Sequence, residues 1–151
     1  MTPKEYLQQA YKIDRKIKLD LLKVQSMKDA LHGRAVSYES DGSQHVPQGN
    51  GIENAILRVI EYEERINAEI DNLTEKRQEI ERVIASVPDD VQREILTRRY
   101  LGYQDFESHY DKRTGKYIVG IDEDTGYSAR QIYRIHWRGL QAVKTILERC
   151  Q

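Results

Sequence analysis

The residues best suited to chemistry follow a Gly126-Tyr-Ser128 step: Arg130, Gln131, Tyr133, Arg134 and Arg138, spaced along one helical stretch. Guanidinium and carboxamide groups carry forked donors, and in the first turns of a helix they match base edges and phosphates of the DNA major groove. The chemistry implied is recognition rather than bond-making. Gly126 suits the positive φ that ends a preceding helix, and Ser128 offers an oxygen to cap the first free N–H groups of the next. Ile132, Ile135, Leu140, Val143, Ile146 and Leu147 then recur at three- and four-residue intervals as an inward stripe. With the two residues that open the helix, the DNA-contacting set is Ser128, Ala129, Arg130, Gln131, Tyr133, Arg134 and Arg138. From Ser128 to Arg149 five cations stand against Glu148 alone, a local charge of +4. The plainer reading of that face is ordinary solvated surface; the Gly-x-Ser turn is what favours a helix-turn-helix. Arg98 or Arg99 would add a phosphate contact or sit in a surface ion pair. Tyr133 and Trp137 are expected to pack on a neighbouring helix more than on DNA, and His136 reads as an unremarked polar position.

Other chemistries find little support. The run Asp122-Glu123-Asp124 points in different directions around a helix and lacks the alternating ligands of a calcium loop. His32, His45, His109 and His136 have no metal-ligand spacing, and neither a Ser-His-Asp set nor a phosphate loop occurs. No catalytic residue, metal or cofactor is expected. The one cysteine, Cys150, allows no internal disulfide and fits a reducing cytoplasm. No signal-peptide pattern opens the sequence, and no apolar run approaches the roughly 20 residues of a membrane helix, so a cytoplasmic protein without membrane contact is expected.

The elements that must position this face are helical. The chain has 151 residues, 24 basic and 25 acidic, so any nucleic-acid affinity has to come from a local patch rather than from bulk charge. Over 3–32, Leu7, Ala10, Ile17, Leu21, Val24 and Leu31 predict a long amphipathic helix capped by Thr2 and opened by Pro3, with the stripe interrupted at Asp14 and Lys28. A flexible loop is expected over 33–51. A second helix over 52–87 carries Ile52, Ile56, Val59, Ile66, Ile70, Leu73, Ile80, Ile84 and Val87 on a heptad grid broken at Glu63 and Arg77. The expected fold is mainly α: a long antiparallel helical hairpin (coiled coil) over 1–87, then a helix-turn-helix domain over 88–151. Pro88 with Asp89 and Asp90 marks the boundary. Val91, Ile95, Leu96 and Tyr100 form the buried face of the next helix, which Gly102 ends. The stretch 104–117 reads as a small loop or β-hairpin around Asp-Lys-Arg-Thr-Gly-Lys, and 118–125 as a short helix.

The spacing Gly126-Tyr-Ser-x-Arg-x-Ile-x-Arg-Ile-x-x-x-x-Leu140, preceded by Arg93-Glu-Ile-Leu-x-Arg-Arg-Tyr100, resembles region four of bacterial sigma factors. It is most similar to the phage late transcriptional regulators of the ArpU/RinA class. Lys4-Glu-Tyr-Leu-Gln-Gln-Ala-Tyr11 and the helix containing Asn54-Ala-Ile-Leu-Arg-Val-Ile60 share that resemblance, which covers most of the chain. It implies a phage or prophage regulator, in the cytoplasm of a bacterial host, that binds double-stranded DNA at late-gene promoters. Its base-reading surface would fall on Ala129, Arg130, Tyr133 and Arg134, with the hairpin contacting RNA polymerase or forming a homodimer. Alanine at 129 lacks the polar contact many sigma factors make there, so the resemblance does not carry over a promoter sequence. Two further departures are the 104–117 insertion and the acidic segment Gly120-Ile-Asp-Glu-Asp-Thr125, whose acids are expected to face solvent or a protein partner. The alternative is a phage DNA-packaging adaptor like a small terminase subunit, or a coiled-coil assembly protein, since such proteins also join a DNA-binding motif to oligomerising helices.

Overall fold

The computed structural model describes the backbone over 1–40 and 50–150 and side chains over 1–33 and 51–150. The fold is mainly α, with two long helices, α1 (Pro3–Ser40) and α2 (Asn50–Ala85), packed together as a hairpin. They are followed by α3 (Asp90–Leu96), a π-helical turn (Thr97–Leu101), strands β1 (His109–Asp111) and β2 (Lys116–Ile118), α4 (Ile121–Thr125) and α5 (Ala129–Arg149). None of the described helices is long and apolar enough to cross a membrane. The chain divides into two compact units, Asp14–Glu75 and the combination of Met1–Ile13 with Lys76–Gln151, so the division does not follow the 87/88 break at Pro88.

The Asp14–Glu75 unit consists of the middle of the helical hairpin. Val24 and Ile66 are buried in it, and the ion pairs Lys16–Glu69 and Lys28–Glu63 (2.7 Å) show the antiparallel order, since the partner number falls as the first rises. Lys28 and Glu63, both breaks in the heptad pattern, thus answer one another. Their side chains remain 46 % and 34 % exposed, so the pair contributes little to stability and more to register. The inward stripe of α1 differs from the expected one by a residue. Ile13, rather than Asp14, takes the inward position, and the three-four spacing then brings Asp20 inside and turns Leu21 out, leaving it 53 % exposed. Asp20 is 1 % exposed, with one carboxylate oxygen 3.5 Å from the Lys23 ammonium. At the end of α1 the backbone stays helical to Ser40, and α2 begins at Asn50, so the loop expected over 33–51 is helical at both edges. Its centre, 41–49, lies outside the described residues.

In the other unit, the start of α1 is fixed by a reciprocal cap: the Thr2 amide donates to Glu5 (2.7 Å) and the Glu5 amide to the Thr2 hydroxyl (3.2 Å). Leu7 and Ala10 from this end, Ile80 and Ile84 from the far end of α2, and Val87, just beyond the end of α2 at Ala85, are fully or almost fully buried. Asp89 caps α3 by accepting from the Gln92 amide (2.8 Å). Ile95, Leu96 and Tyr100 are buried as the spacing predicts. The helix is not ended by a left-handed glycine, however. It widens into the π turn, closed by the Gly102 amide on the Thr97 carbonyl (2.9 Å), and the positive φ falls on Tyr103 (55°). Ile95, Ile121 and Ile132 form a core flanked by Phe106, Tyr127 and Ile135. Burying each such side chain is worth about 1.5–3 kcal/mol, so this small cluster is what holds α3, α4 and α5 together. Gly139 lets α5 approach α3 closely, since a Cβ there would lie 3.1 Å from a Leu96 methyl carbon.

Candidate nucleic-acid interface

The start of α5 is built by its own side chains. Gly126 closes α4 with φ +73°, its amide donating to the Asp122 carbonyl (2.9 Å). Two residues later Ser128 caps α5: its hydroxyl accepts from the Gln131 amide (3.3 Å), while the Gln131 side-chain oxygen accepts from the Ser128 amide (2.9 Å). α5 is held to the scaffold through buried Ile132, Gly139 and Val143, with Ile135, Leu140, Ile146 and Leu147 half-buried beside them. Its register therefore cannot drift without exposing that stripe.

The opposite face carries Arg130, Arg134 and Arg138, all exposed and, among the described residues, in no ion pair. Spaced four apart, they advance along one side of the helix with a slight twist. The remaining members of the sequence-derived set have other occupations. Ser128 and Gln131 are engaged in the cap, which leaves the Gln131 amide nitrogen as the one group of that pair without a hydrogen bond among the described residues. Ala129 is half-buried at the first helical position. Tyr133 is 47 % exposed but rests on Phe106, with ring centres 5.0 Å apart. Trp137 is 61 % exposed and edges a groove lined by Pro3, Tyr6, Leu140 and Leu147.

Arg98 and Arg99 are committed internally. Arg98 donates to Glu94 (2.9 Å) and Asp124 (3.2 Å). Arg99 donates to the Gln104 carbonyl (3.0 Å), lies 3.4 Å from Asp105 and stacks over Phe106, 4.5 Å from the ring centre. His136 also does more than its sequence position suggested. Its Nε2 lies 2.9 Å from the Tyr100 hydroxyl and its ring packs edge-on against Phe106. Burial, followed by the nearby charges of Arg99 and Lys4, pushes its pKa down to about 4, so it is neutral near pH 7. Burial likewise raises the Tyr100 hydroxyl above its ordinary range.

No family model, curated protein or solved structure matches this chain. The site has to be understood from its own geometry, which includes the segment 104–117. β1 and β2 pair antiparallel, His109 opposite Ile118 and Asp111 opposite Lys116, around the loop 112–115. The loop is locked by Asp111, whose carboxylate accepts from the Arg113 amide (2.9 Å) and the Thr114 hydroxyl (2.8 Å), and by Gly115 at φ +68°. The helix expected over 118–125 begins only at Ile121, because Ile118 belongs to the β ladder and Gly120 packs beneath the incoming chain. A Cβ at Gly120 would lie 2.5 Å from the Ser108 amide nitrogen and against the Glu107 carbonyl carbon. Glycine is thus required there by space rather than by φ.

The acids of α4 join this hairpin to the scaffold. Asp122 accepts from the Ser108 hydroxyl (2.7 Å) and amide (2.9 Å), and these bonds hold its carboxyl below the usual range. Glu123 accepts from the Tyr117 hydroxyl, and Asp124 from Gln104 (2.5 Å) and Arg98. Glu123 and Asp124 are exposed, as expected of acids facing solvent, and all three acids also serve the protein's own hairpin and π turn. Sequence spacing could not reveal this, since the partners lie up to 26 residues away.

Proposed function

We propose that this chain is a DNA-binding protein in which α4, the Gly126 turn and α5 act as a helix-turn-helix, with α5 as the recognition helix in the major groove. The observation that carries the reading is the outward row of Arg130, Arg134 and Arg138, without ion pairs among the described residues, on a helix whose start is capped and whose opposite face is buried. A cationic row on a fixed helix can enter a groove without first breaking internal pairs. The biological assignment, a phage or prophage regulator at late-gene promoters in the bacterial cytoplasm, rests on the motif resemblance. In that setting the helical hairpin would serve self-association or RNA polymerase.

Capture of genomic fragments by the purified protein, followed by footprinting, tests the reading directly. One protected promoter is expected. On that site, Arg130→Ala or Arg134→Ala should each weaken binding by about 1–3 kcal/mol if the side chain makes a bidentate base contact. Arg138→Ala should weaken binding to all sequences alike and flatten the salt dependence. Unchanged binding by both the Arg130 and Arg134 variants would remove base reading from α5.

A further inference from the structure

The hairpin loop 112–115 and the strand residue that follows it display Lys112, Arg113 and Lys116, all exposed and, among the described residues, in no ion pair. We infer that this hairpin is a second DNA-contacting element, a wing whose basic tip grips the phosphate backbone beside the groove that α5 occupies. The inference rests on the DNA-binding reading and extends it to a part of the molecule that the recognition helix does not include.

Three observations carry it. The first is a role left vacant. In a helix-turn-helix the first helix ordinarily crosses the DNA backbone, but α4 is five residues long and presents Asp122, Glu123 and Asp124 at its start. Acids there repel phosphate, so backbone contact has to come from elsewhere. The second is the local distribution of charge. Most neighbouring acids are engaged by groups of the protein itself: Asp111 by its own loop, Asp122 by Ser108, Glu123 by Tyr117, Asp124 by Arg98 and Gln104, and Asp105 by Arg99, while Glu107 at the hairpin root is exposed. The three cations at the tip have no such engagement. The third is placement and rigidity. Phe106, at the root of the hairpin, packs against Tyr133 and His136 of α5, and Ser108 is clamped to α4, so the hairpin springs from beside the recognition helix. Strands of three residues project about 10 Å from that root. The loop is already ordered by Asp111 and Gly115, so its cations meet phosphates at little conformational cost.

Phosphate contacts are independent of sequence, so the test needs no operator. The intact protein is titrated onto a 30-base-pair mixed-sequence duplex between 50 and 200 mM salt. The K112A/R113A/K116A variant should bind on the order of tenfold or more weakly, and the slope of log K against log salt should flatten by two to three, near 0.9 for each lost contact. K112R/K116R, which keeps the charge, should bind as the wild type does. Far-ultraviolet circular dichroism and thermal melting should match across the variants, because the substituted side chains are exposed. If the triple variant keeps the wild-type affinity and slope while R130A/R134A binds more weakly, the wing is overturned and the recognition helix stands. A wild-type protein that fails to bind the duplex even at 50 mM salt overturns the DNA reading itself, and the wing with it.

Discussion

α4 and α5 are adjacent helices with opposite charge, partnered within the protein in the first and largely unpartnered in the second. In α4 each of the three acids has a partner within the protein, reaching Ser108, Tyr117, Arg98 and Gln104. In α5 the row Arg130, Arg134 and Arg138 has no ion pair among the described residues. Charge at the first helix is consumed in positioning the hairpin and the π turn, whereas charge at the second is left available to a ligand. Composition cannot express that difference, because acids and bases nearly cancel over the whole chain. What separates the two rows is whether the fold supplies a partner, a hydroxyl for Asp122 and Glu123 and a cation for Asp124.

The most severe way to break the arrangement is at Gly120. An added Cβ would collide with backbone rather than with a movable side chain, so Gly120→Ala should destabilise the protein on the order of 3 kcal/mol. Urea unfolding checks this through a midpoint shift at unchanged slope. Wild-type stability in that variant would mean that the segment around Ser108 is not seated on α4. Because the hairpin root and α5 share the Phe106 contact, DNA affinity should fall together with stability.

A smaller effect tests the inner face of α5, which tolerates no charge. His136 has a native pKa of about 4, below its ordinary 6.5, so on acidification the unfolded chain takes up the proton first. The corresponding stability is fully present above pH 6.5 and is lost as the pH falls towards 4. The ring is only partly buried, and after discounting for solvent the loss is about 1–2 kcal/mol. His136→Phe should flatten that dependence between pH 7 and 4.5, while forfeiting the Tyr100 hydrogen bond, worth about 1 kcal/mol. An equal acid slope in the variant would assign the lability to other groups.

Much of the fold was legible in the sequence because it depends on local spacing. The long helices, the caps at Thr2 and Ser128, the left-handed Gly126 and the buried Ile95, Leu96 and Tyr100 all follow from patterns within a few residues. The exchange of Leu21 for Asp20 on α1 was harder to foresee, since hydrophobic periodicity favours the apolar residue and one residue of register decides between them. Asp20→Leu should accordingly stabilise the helical hairpin by about 1–2 kcal/mol, because a buried carboxylate oxygen without a hydrogen bond is removed. A lower melting temperature would show that the carboxylate is favourably paired. At the interface, the row of arginines was readable from spacing. The engagement of Gln131 in the cap, the withdrawal of Arg98 and Arg99, and the Tyr100–His136 bond depend on long-range or side-chain geometry, on which periodicity is silent.

The smallest expected effect separates the two uses of charge most cleanly. Asp124 lies in the acidic helix, is 41 % exposed, and holds Gln104 and Arg98. Asp124→Asn keeps the shape and removes the charge, so it should cost only about 0.2–1 kcal/mol, as exposed ion pairs do. Its effect on binding to a mixed-sequence duplex decides more than its effect on stability. If the acids of α4 are architectural, affinity should stay within about twofold of wild type, because Glu94 still retains Arg98 and the removed charge is already paired with it. A rise of several-fold, with the salt slope steepened by about one, would instead mean that Arg98 has been released onto a phosphate. In that case the acids of α4 would be restraining a binding charge, and the contrast between the two helices would be one of regulation rather than of architecture.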